Sequence, residues 1–383
     1  MTERMFFLPF VVLLLPFDFL VAFSMLLTEI AMLPIRMKRL MTPSALRAFS
    51  PFSRGRNVPL EKGDSRRRRQ GVIPRSVTVI IVNWDGKHLL EESLPHVVEA
   101  VADKAAVLVV DNGSTDGSVE YVKDRFPAVR ILKLDKNYGF TGGNNRGVAV
   151  VKSDVAVFLD NDMIVDKNFL DPLLDGFADP SVFAVTSQIF LPDNSRSRSE
   201  TGNTRGAFKD GFFYIEHAPV EASEPSPVLW AGGGSSAVDR KKFLELGGFA
   251  ALYHPFYVED LDISYQAWKR GWKSLLMPQS RVVHKHRGTS QPKFGSRFVD
   301  NTIRKNQFLF IWKNVTDVSL ILEHLINLPR IHARAMREHG VSFEIQAFLR
   351  AVSQLPEALW ARISSFSNYV LSDREVFMQS HKS

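Results

Sequence analysis

Val155-Ala156-Val157-Phe158-Leu159-Asp160-Asn161-Asp162 is the stretch that decides the fold of this chain. Its apolar half, rich in β-branched side chains, predicts a strand that is buried on both faces. Two carboxylates follow at the end of the strand where open α/β sheets bind their ligands. Because neighbouring carboxylates repel one another, they favour a cation between them, and a divalent metal that holds a diphosphate would fit. Asp-Asn-Asp is also common in turns, so the stretch alone leaves a plain acidic turn as the alternative.

Three more apolar runs precede that stretch, at residues 77–82, 106–110 and 129–134. Helical patterns at residues 87–102 and 118–126 separate them. Strands that alternate with helices at this spacing predict a doubly wound, mostly parallel α/β sheet with right-handed connections. Polar residues follow these strands, so the carboxyl edge of the sheet is where a nucleotide would lie.

A glycine-rich segment at residues 137–147 (NYGFTGGNNRG) leads into a helix predicted at residues 144–152. Glycines let backbone N–H groups approach an anion, and a helix N-terminus favours negative charge. The segment lacks the G-x-G-x-x-G spacing and follows the third strand, so a dinucleotide site of the Rossmann type is disfavoured. A flexible turn before a helix is the alternative.

Charge is unevenly distributed along the 383 residues. The chain has a net charge of +7, but residues 1–76 hold 13 Lys and Arg against 5 Asp and Glu, so the remaining 307 residues sum to −1. The basic character therefore belongs to the N-terminal arm, and the body has no overall nucleic-acid signature. The absence of cysteine excludes a disulfide scaffold and any thiolate metal site.

The N-terminal arm contains a strongly apolar stretch at residues 5–33, long enough to cross a bilayer as a helix. Two prolines and Asp18 weaken that interpretation. A spanning anchor, an interfacial or re-entrant helix, and a buried helix packed on the body all remain open. Basic residues follow the stretch at once, which places the rest of the chain at the cytoplasmic face of the cell membrane. Residues 42–75 read as a flexible basic linker whose Arg66–Arg69 run suits anionic membrane lipids, and no nucleic acid is expected as a partner.

Four motifs, taken together and in this order, resemble the family 2 glycosyltransferases of the GT-A fold, and most of all their rhamnosyltransferase-like branch. The resemblance covers residues 76–290. The motifs are residues 79–84 (VIIVNW), 109–116 (VVDNGSTD), 137–147 and the D-x-D at 160–162.

The resemblance implies a role for each matching position. Asn83 and Asp111 would contact the base and ribose of a nucleotide-sugar donor. Gly143 and Asn144 would lie beside the ribose or diphosphate. The two carboxylates of the D-x-D would have different roles: Asp162 would be the ligand of Mn²⁺ or Mg²⁺, and Asp160 would hold the ribose or the sugar.

The second half of the chain supplies the acceptor side. Residues 230–234 (WAGGG) form a glycine-rich turn or strand that permits close approach of a substrate. By the resemblance, the Glu259-Asp260 pair begins the following helix, and Asp260 is the general base that takes a proton from the acceptor hydroxyl. Glu259 and Asp262 could raise the pKa of Asp260 by like-charge repulsion. Acidic residues in a first helical turn are also ordinary complements of the helix dipole.

His284 has the spacing of the family's further metal ligand or diphosphate contact, counted from Pro278. His286 would share its strand face, so the choice between the two histidines stays open. Residues 299–383 show amphipathic patterning and predict a helical appendage that packs on the body or lies on the bilayer.

These features predict four regions: an apolar anchor at 1–41, the basic linker at 42–75, a GT-A domain at 76–298 and the helical region at 299–383.

The expected activity is metal-dependent, inverting transfer of a sugar from a nucleotide-diphosphate donor to a glycan or lipid-linked acceptor. A sugar nucleotidyltransferase is the alternative enzyme, although residues 83–86 lack the basic loop that a triphosphate needs. An inactive, membrane-tethered glycan-binding protein on the same scaffold is the third possibility.

Overall fold

A computed structural model describes residues 7–40, 75–192, 201–219, 224–285 and 294–380. The predicted linker lies outside the described residues except for Arg75, and so does His286.

Within the described ranges, nine strands form one sheet and two more form a hairpin. The strands are β1 (Val77–Asn83), β2 (Ala106–Asp111), β3 (Arg130–Lys133), β4 (Val155–Asp160), β5 (Met163–Val165), β6 (Val182–Phe190), β7 (Thr204–Lys209), β8 (Phe212–His217), β9 (Ser226–Val228), β10 (Ser235–Asp239) and β11 (Lys273–His284). The order in the sheet is β3-β2-β1-β4-β10-β6-β11-β5, with β9 also paired to β11. The strands β7 and β8 pair separately as the hairpin.

The first half of the sheet is parallel, as the sequence predicts. β1 lies between β2 and β4, and in this register Asn83 is opposite Asp111 while Val82 is opposite Asp160. The ends of these three strands therefore meet at one edge of the sheet. The second half is mixed, because β10 runs antiparallel to both β4 and β6.

Helices cover both faces of the sheet. They are α1 (Leu8–Leu40), α2 (Lys87–Val101), α3 (Ser118–Arg125), α4 (Gly139–Val150), α5 (Leu170–Asp175), α6 (Arg240–Glu245), α7 (Glu259–Lys269), α8 (Ser296–Asn314), α9 (Val318–His339), α10 (Val341–Ser353), α11 (Leu355–Phe366) and α12 (Asp373–Ser380). Alternate side chains of β1 point to opposite sides: Val79 and Ile81 pack with α2 and α3, whereas Ile80 packs with α4.

The glycine-rich segment differs from its predicted conformation. α4 begins at Gly139, so most of the expected loop is the first part of a helix. Its glycines bring α4 close to the sheet: a Cβ on Gly143 would lie 2.7 Å from Val82 Cγ1, and one on Gly147 would lie 2.8 Å from Ile80 Cγ2. Close packing between helix and sheet, rather than a flexible loop, is thus what these glycines permit.

The C-terminal region is helical, as predicted, and it packs on the body. α8 begins at Ser296, so the boundary predicted at 298/299 falls in its first turn. The apolar helix α1 joins the same cluster, since its Val11, Leu14, Val21 and Met25 are buried together with residues of α8 to α11.

Candidate active site

Two carboxylates and one imidazole meet where β4 ends. The ligand atoms of Asp160, Asp162 and His284 all lie within 4.8 Å of one another. β5 pairs with the end of β11 so that Met163 is opposite His284, and the Lys285 amide donates to the Asp162 carbonyl at 3.1 Å. These backbone contacts bring the His284 Nε2 to 3.3 Å from the Asp162 Oδ1.

This group has the chemistry of a divalent metal site. Asp162 and His284 are buried, and Asp160 is half-buried at the end of its strand. Two hard oxygen ligands with one imidazole suit Mn²⁺ as well as Mg²⁺. The three residues can therefore hold such a cation, and they leave coordination positions open for a ligand.

The strand edge beside this group is lined by the predicted donor residues. Asp111 is buried, its Oδ1 accepts from the Ser114 amide at 3.2 Å, and its buried Oδ2 has no hydrogen-bond partner in the described part of the chain. An unpaired buried carboxylate oxygen is costly unless a ligand donates to it.

Asn83 is placed differently from Asp111. Its side chain is fully buried, its Nδ2 donates to the Ser118 Oγ at 3.0 Å, and its Oδ1 accepts from the Asn161 Nδ2 at 2.8 Å. Because both ends of the amide are engaged, Asn83 ties the ends of β1 and β4 together. The amide of Asn83 is therefore engaged within the protein, and its predicted contact with a nucleotide stays a prediction.

Gly143 and Asn144 both lie inside α4. Asn144 is buried and its Nδ2 donates to the Phe140 carbonyl at 3.1 Å, one turn earlier in the helix. The segment before the helix is held by Asn112, whose Oδ1 accepts from the Tyr138 amide at 2.9 Å. The side chain of Asn144 therefore faces the protein in this structure, and its contact with a donor stays a prediction.

A glycine segment joins the metal group to the predicted base. The Asp160 amide donates to the Gly234 carbonyl at 2.9 Å, and a Cβ on Gly234 would overlap the Asp160 Oδ2. At the other end of the segment, the Gly233 amide donates to the Asp260 Oδ2 at 3.0 Å. Asp160 and Asp260 thus flank the same short stretch of glycine backbone.

The turn before α7 has an unusual backbone that directs the acidic pair. Tyr257 and Val258 have φ of 70° and 81°, which is rare for a non-glycine residue and more so for a β-branched one. Asp260 follows in the first turn of α7, where its Oδ1 accepts from the Leu261 amide at 2.7 Å. Strain of this kind persists only where the surrounding structure holds it.

Glu259 is the buried member of the acidic pair. Burial raises the pKa of Glu259 well above its usual range, and the negative charges of Asp260 and Asp160 raise it further. Burial, together with these neighbouring charges, therefore disfavours the charged form of Glu259.

The side chain of Asp262 makes structural contacts away from Glu259 and Asp260. It is fully buried, and it forms an ion pair with Lys313 (Nζ–Oδ2 2.6 Å) and accepts from the Asn314 Nδ2 at 2.7 Å. The Tyr253 hydroxyl donates to the same carboxylate at 2.8 Å. The charge of Lys313 offsets part of the charge of Asp262, which still contributes to the raised pKa of Glu259, and Asp262 fastens α7 to α8.

The sequence did not indicate that α8 contributes to the site. The Nδ2 of Asn306 lies 3.1, 3.0 and 2.9 Å from the carbonyls of Tyr253, Phe256 and Tyr257, the turn that precedes the acidic pair. Phe294, just before α8, contacts Trp84 at the end of β1 and Phe256, with ring centroids 6.2 and 5.4 Å away. No motif marks these residues, because their role depends on contacts far apart in sequence.

Comparison with known proteins agrees with this arrangement. A profile of the family described as "Glycosyl transferase family 2" matches residues 78–228, and one described as "Glycosyl transferase family group 2" matches residues 155–350. A crystal structure of GalNAc-T7 with UDP, GalNAc and Mn²⁺ has a TM-score of 0.53 and 20% identity, covering 78% of this chain and 59% of that one. The architecture is therefore the GT-A fold.

Two relatives in sequence are informative. The human polypeptide N-acetylgalactosaminyltransferase 10 is 37% identical over 174 residues, 42% of this chain and 28% of its own length. The N-acetylglucosaminyl-diphospho-decaprenol L-rhamnosyltransferase of Mycobacterium tuberculosis is 30% identical over 230 residues, 54% of this chain and 75% of that protein. The chain belongs to the family 2 glycosyltransferases, as the motifs indicated, and it spans little more than a quarter of the human relative.

Proposed function

We propose that this protein is a membrane-associated, inverting glycosyltransferase that acts in cell-envelope polysaccharide synthesis. The donor is a nucleotide-diphosphate sugar such as dTDP-rhamnose or a UDP-sugar, and the acceptor is a hydroxyl of a glycan or lipid-linked glycan. One observation carries the proposal: the Asp160, Asp162 and His284 group and the Asp260 carboxylate lie on either side of the Gly232–Gly234 backbone.

The residues on the two sides divide the chemistry. A divalent cation bound by Asp162 and His284 would supply positive charge to the diphosphate as it leaves. Asp160 holds the sugar or ribose, and Asp111 offers its unpaired Oδ2 to the nucleotide. Asp260, oriented by the Gly233 and Leu261 amides, takes the proton of the acceptor hydroxyl as that oxygen attacks the anomeric carbon.

The difference between the two neighbouring carboxyl groups supports an inverting reaction. Glu259 is buried and its pKa is raised, so its surroundings disfavour the charged form that would act as a nucleophile. Asp260 then serves as a base for one direct displacement rather than for a covalent intermediate. The anomeric configuration of the product, read by NMR, should be opposite to that of the donor.

The donor and acceptor are suggested by sequence relatives of different specificity. The mycobacterial relative is a rhamnosyltransferase whose name gives a lipid-diphosphate-linked sugar, and the match extends over most of its length. The human relative is an N-acetylgalactosaminyltransferase. We favour the first because the apolar helix α1 would keep the site beside a lipid-linked acceptor.

A panel of donors tests the proposal. The purified full chain is incubated with dTDP-rhamnose and several UDP-sugars, with Mn²⁺, Mg²⁺ or EDTA, and with or without a lipid-linked glycan. We expect nucleoside diphosphate release from one donor, dependent on a cation and increased by the acceptor. A sugar nucleotidyltransferase would instead form diphosphate from a nucleoside triphosphate and a sugar phosphate. No turnover together with retained glycan binding would favour an inactive scaffold.

A further inference from the structure

The helix α1 has two faces of different character. Its inner face is a stripe at helical spacing that includes Val11, Leu14, Val21, Met25 and Met32, all buried against the body. This stripe runs for about 32 Å at the usual rise per residue, which equals the thickness of a bilayer's hydrocarbon core. The body therefore covers one side of α1 along the whole length that a membrane would need.

The charged residues of the apolar stretch point to the body. Between residues 8 and 33 the charged side chains are Asp18 and Glu29. Asp18 accepts from the buried His332 of α9 at 2.9 Å, and Glu29 forms an ion pair with the buried Arg362 of α11. Detaching α1 would leave His332 and Arg362 buried without these partners, which is strongly unfavourable.

The outer face of α1 is apolar and exposed. Val12, Phe19, Phe23 and Ile30 are between 50% and 73% exposed, and no charged residue interrupts them. An uncharged surface of this length on a folded protein marks an interaction site. The strongly basic sequence of residues 1–76 complements an anionic lipid surface.

A spanning orientation conflicts with the docked helix. α9 packs along α1 and exposes Arg330, Arg334, Arg337 and Glu338 to solvent. If α1 crossed a bilayer while docked, these charges would have to enter or border the hydrocarbon core, which is costly.

We propose that α1 does not span the membrane but lies in its plane, with its outer face inserted in the lipid and its inner face fastened to α9 and α11. The occupant of this face is an anionic lipid surface. The inference refines the membrane association proposed above and is independent of the sugar transferred. It makes the protein monotopic, with the catalytic domain connected to the membrane-bound helix through α9 and α11.

Label depth along the outer face tests the orientation. Because the chain has no cysteine, Val12→Cys, Phe23→Cys and Ile30→Cys each provide a single labelling site. The full chain is bound to phosphatidylcholine–phosphatidylglycerol vesicles, and the depth of a nitroxide label is measured. We expect the three depths to agree within about 5 Å, since the positions share one side of the helix. A spanning helix would place Val12 and Ile30 about 27 Å apart along the bilayer normal, which would overturn the proposal.

A second measurement identifies the occupant. Phe23→Glu should reduce flotation with these vesicles at least tenfold without lowering the melting temperature, whereas Leu244→Glu, an equally simple change of an exposed leucine on α6, should not alter flotation. Unchanged flotation of Phe23→Glu would contradict insertion of the outer face. If the protein fails to float but light scattering shows a dimer that Phe23→Glu dissociates, the face binds a second copy instead. Flotation requires no donor or acceptor, so its failure leaves the proposed transferase activity untouched.

Discussion

Asp260 and Glu259 are adjacent in sequence but differ in environment. Asp260 is half-buried with its oxygens directed by two backbone amides, while Glu259 is buried with a raised pKa. Asp260 is therefore better placed than Glu259 to accept a proton from a substrate.

This difference predicts unequal effects of two amide substitutions. Asp260→Asn should lower kcat by at least about 100-fold, the range of a general base, while donor affinity stays within a few fold. Glu259→Gln should lower kcat less than Asp260→Asn does, because burial disfavours the charged form of Glu259 and an amide resembles the uncharged form. Initial rates and donor binding by calorimetry measure both effects. Full turnover in Asp260→Asn would exclude it as the base.

His284 is predicted to act through the metal rather than through the acceptor. His284→Gln should weaken Mn²⁺ affinity by at least about 10-fold, the loss expected even for a residue that only supports a metal ligand, and part of the activity should return at high Mn²⁺ concentration. His254, a histidine beside Gly139 and outside the metal group, provides the control: His254→Gln should leave Mn²⁺ binding unchanged. Equal Mn²⁺ affinity in His284→Gln and the parent protein would remove this residue from the metal site.

At the scale of elements, α8 links the C-terminal helices to the catalytic turn. The single amide of Asn306 lies within hydrogen-bonding distance of three carbonyls in the turn whose left-handed residues precede Glu259. The helical region that the sequence predicted as an appendage thus supports the turn that precedes the predicted base.

Asn306→Ala should therefore affect catalysis as well as stability. We expect a loss of about 2 kcal/mol in the free energy of unfolding, from hydrogen bonds of about 1 kcal/mol each, and a lower kcat with unchanged Mn²⁺ affinity. Asn301→Ala is the matched control, because Asn301 lies on the same helix and donates to the Phe343 carbonyl at 2.8 Å. It should lose stability alone. If both variants keep the parent kcat, the turn does not depend on Asn306.

Because α4 lies so close to the sheet, we expect a Gly→Ala change in this helix to destabilise the protein, although the same change stabilises most helices. Gly→Ala in a helix normally stabilises by about 1 kcal/mol. At Gly147 the new Cβ would lie 2.8 Å from Ile80 Cγ2 and 3.0 Å from Val110 Cγ2, and overpacking of this kind costs about 1–3 kcal/mol. Gly147→Ala should thus be destabilising in urea unfolding. Ala149→Leu on the exposed side of α4 should change stability by less than about 0.5 kcal/mol; a stabilised Gly147→Ala would contradict the tight packing.

At the scale of the whole molecule, a buried series of charges connects α1 to α8. His332 bonds Asp18 at 2.9 Å through Nε2 and Glu344 at 2.8 Å through Nδ1, and Glu344 pairs with Arg304 at 2.9 Å. Burial lowers the pKa of His332, but its hydrogen bonds to the two carboxylates outweigh burial and raise the pKa above its ordinary value.

The raised pKa predicts how this contact depends on pH. A histidine whose pKa is higher in the folded than in the unfolded protein stabilises the folded state in its charged form. This stabilisation is fully present below the unfolded pKa of about 6.5, and it is lost as the pH rises through the higher pKa of the folded protein. His332→Gln should therefore cost about 3 kcal/mol at pH 6, and the difference from the parent protein should shrink at alkaline pH. Thermal unfolding from pH 6 to pH 9 measures it. A difference independent of pH would mean that His332 is neutral in the folded protein.

Local sequence patterns were enough to predict the α/β class, the apolar helix and the motifs at the ends of β1, β2 and β4. The periodicity of buried strands and the run from apolar residues into Asp160 and Asp162 are local properties, so no tertiary information was needed. The conformation of residues 139–143 was predicted wrongly, because packing of α4 on Val82 overrides the preference of glycines for loops.

Only the tertiary structure decided which polar residues are open and which are engaged. The sequence predicted a nucleotide contact for Asn83 and an effect of Asp262 on the pKa of Asp260, but the bonds of these two residues to Asn161 and Lys313 come from distant segments. The contacts of Asn306 with the turn before α7 and the docking of α1 on α9 and α11 also join segments that are far apart in sequence. The sequence by itself therefore determined the elements and the chemistry at the strand ends, because both follow from neighbouring residues. The assembly of the site and the orientation of the apolar helix were decided by side chains that meet only in the folded protein.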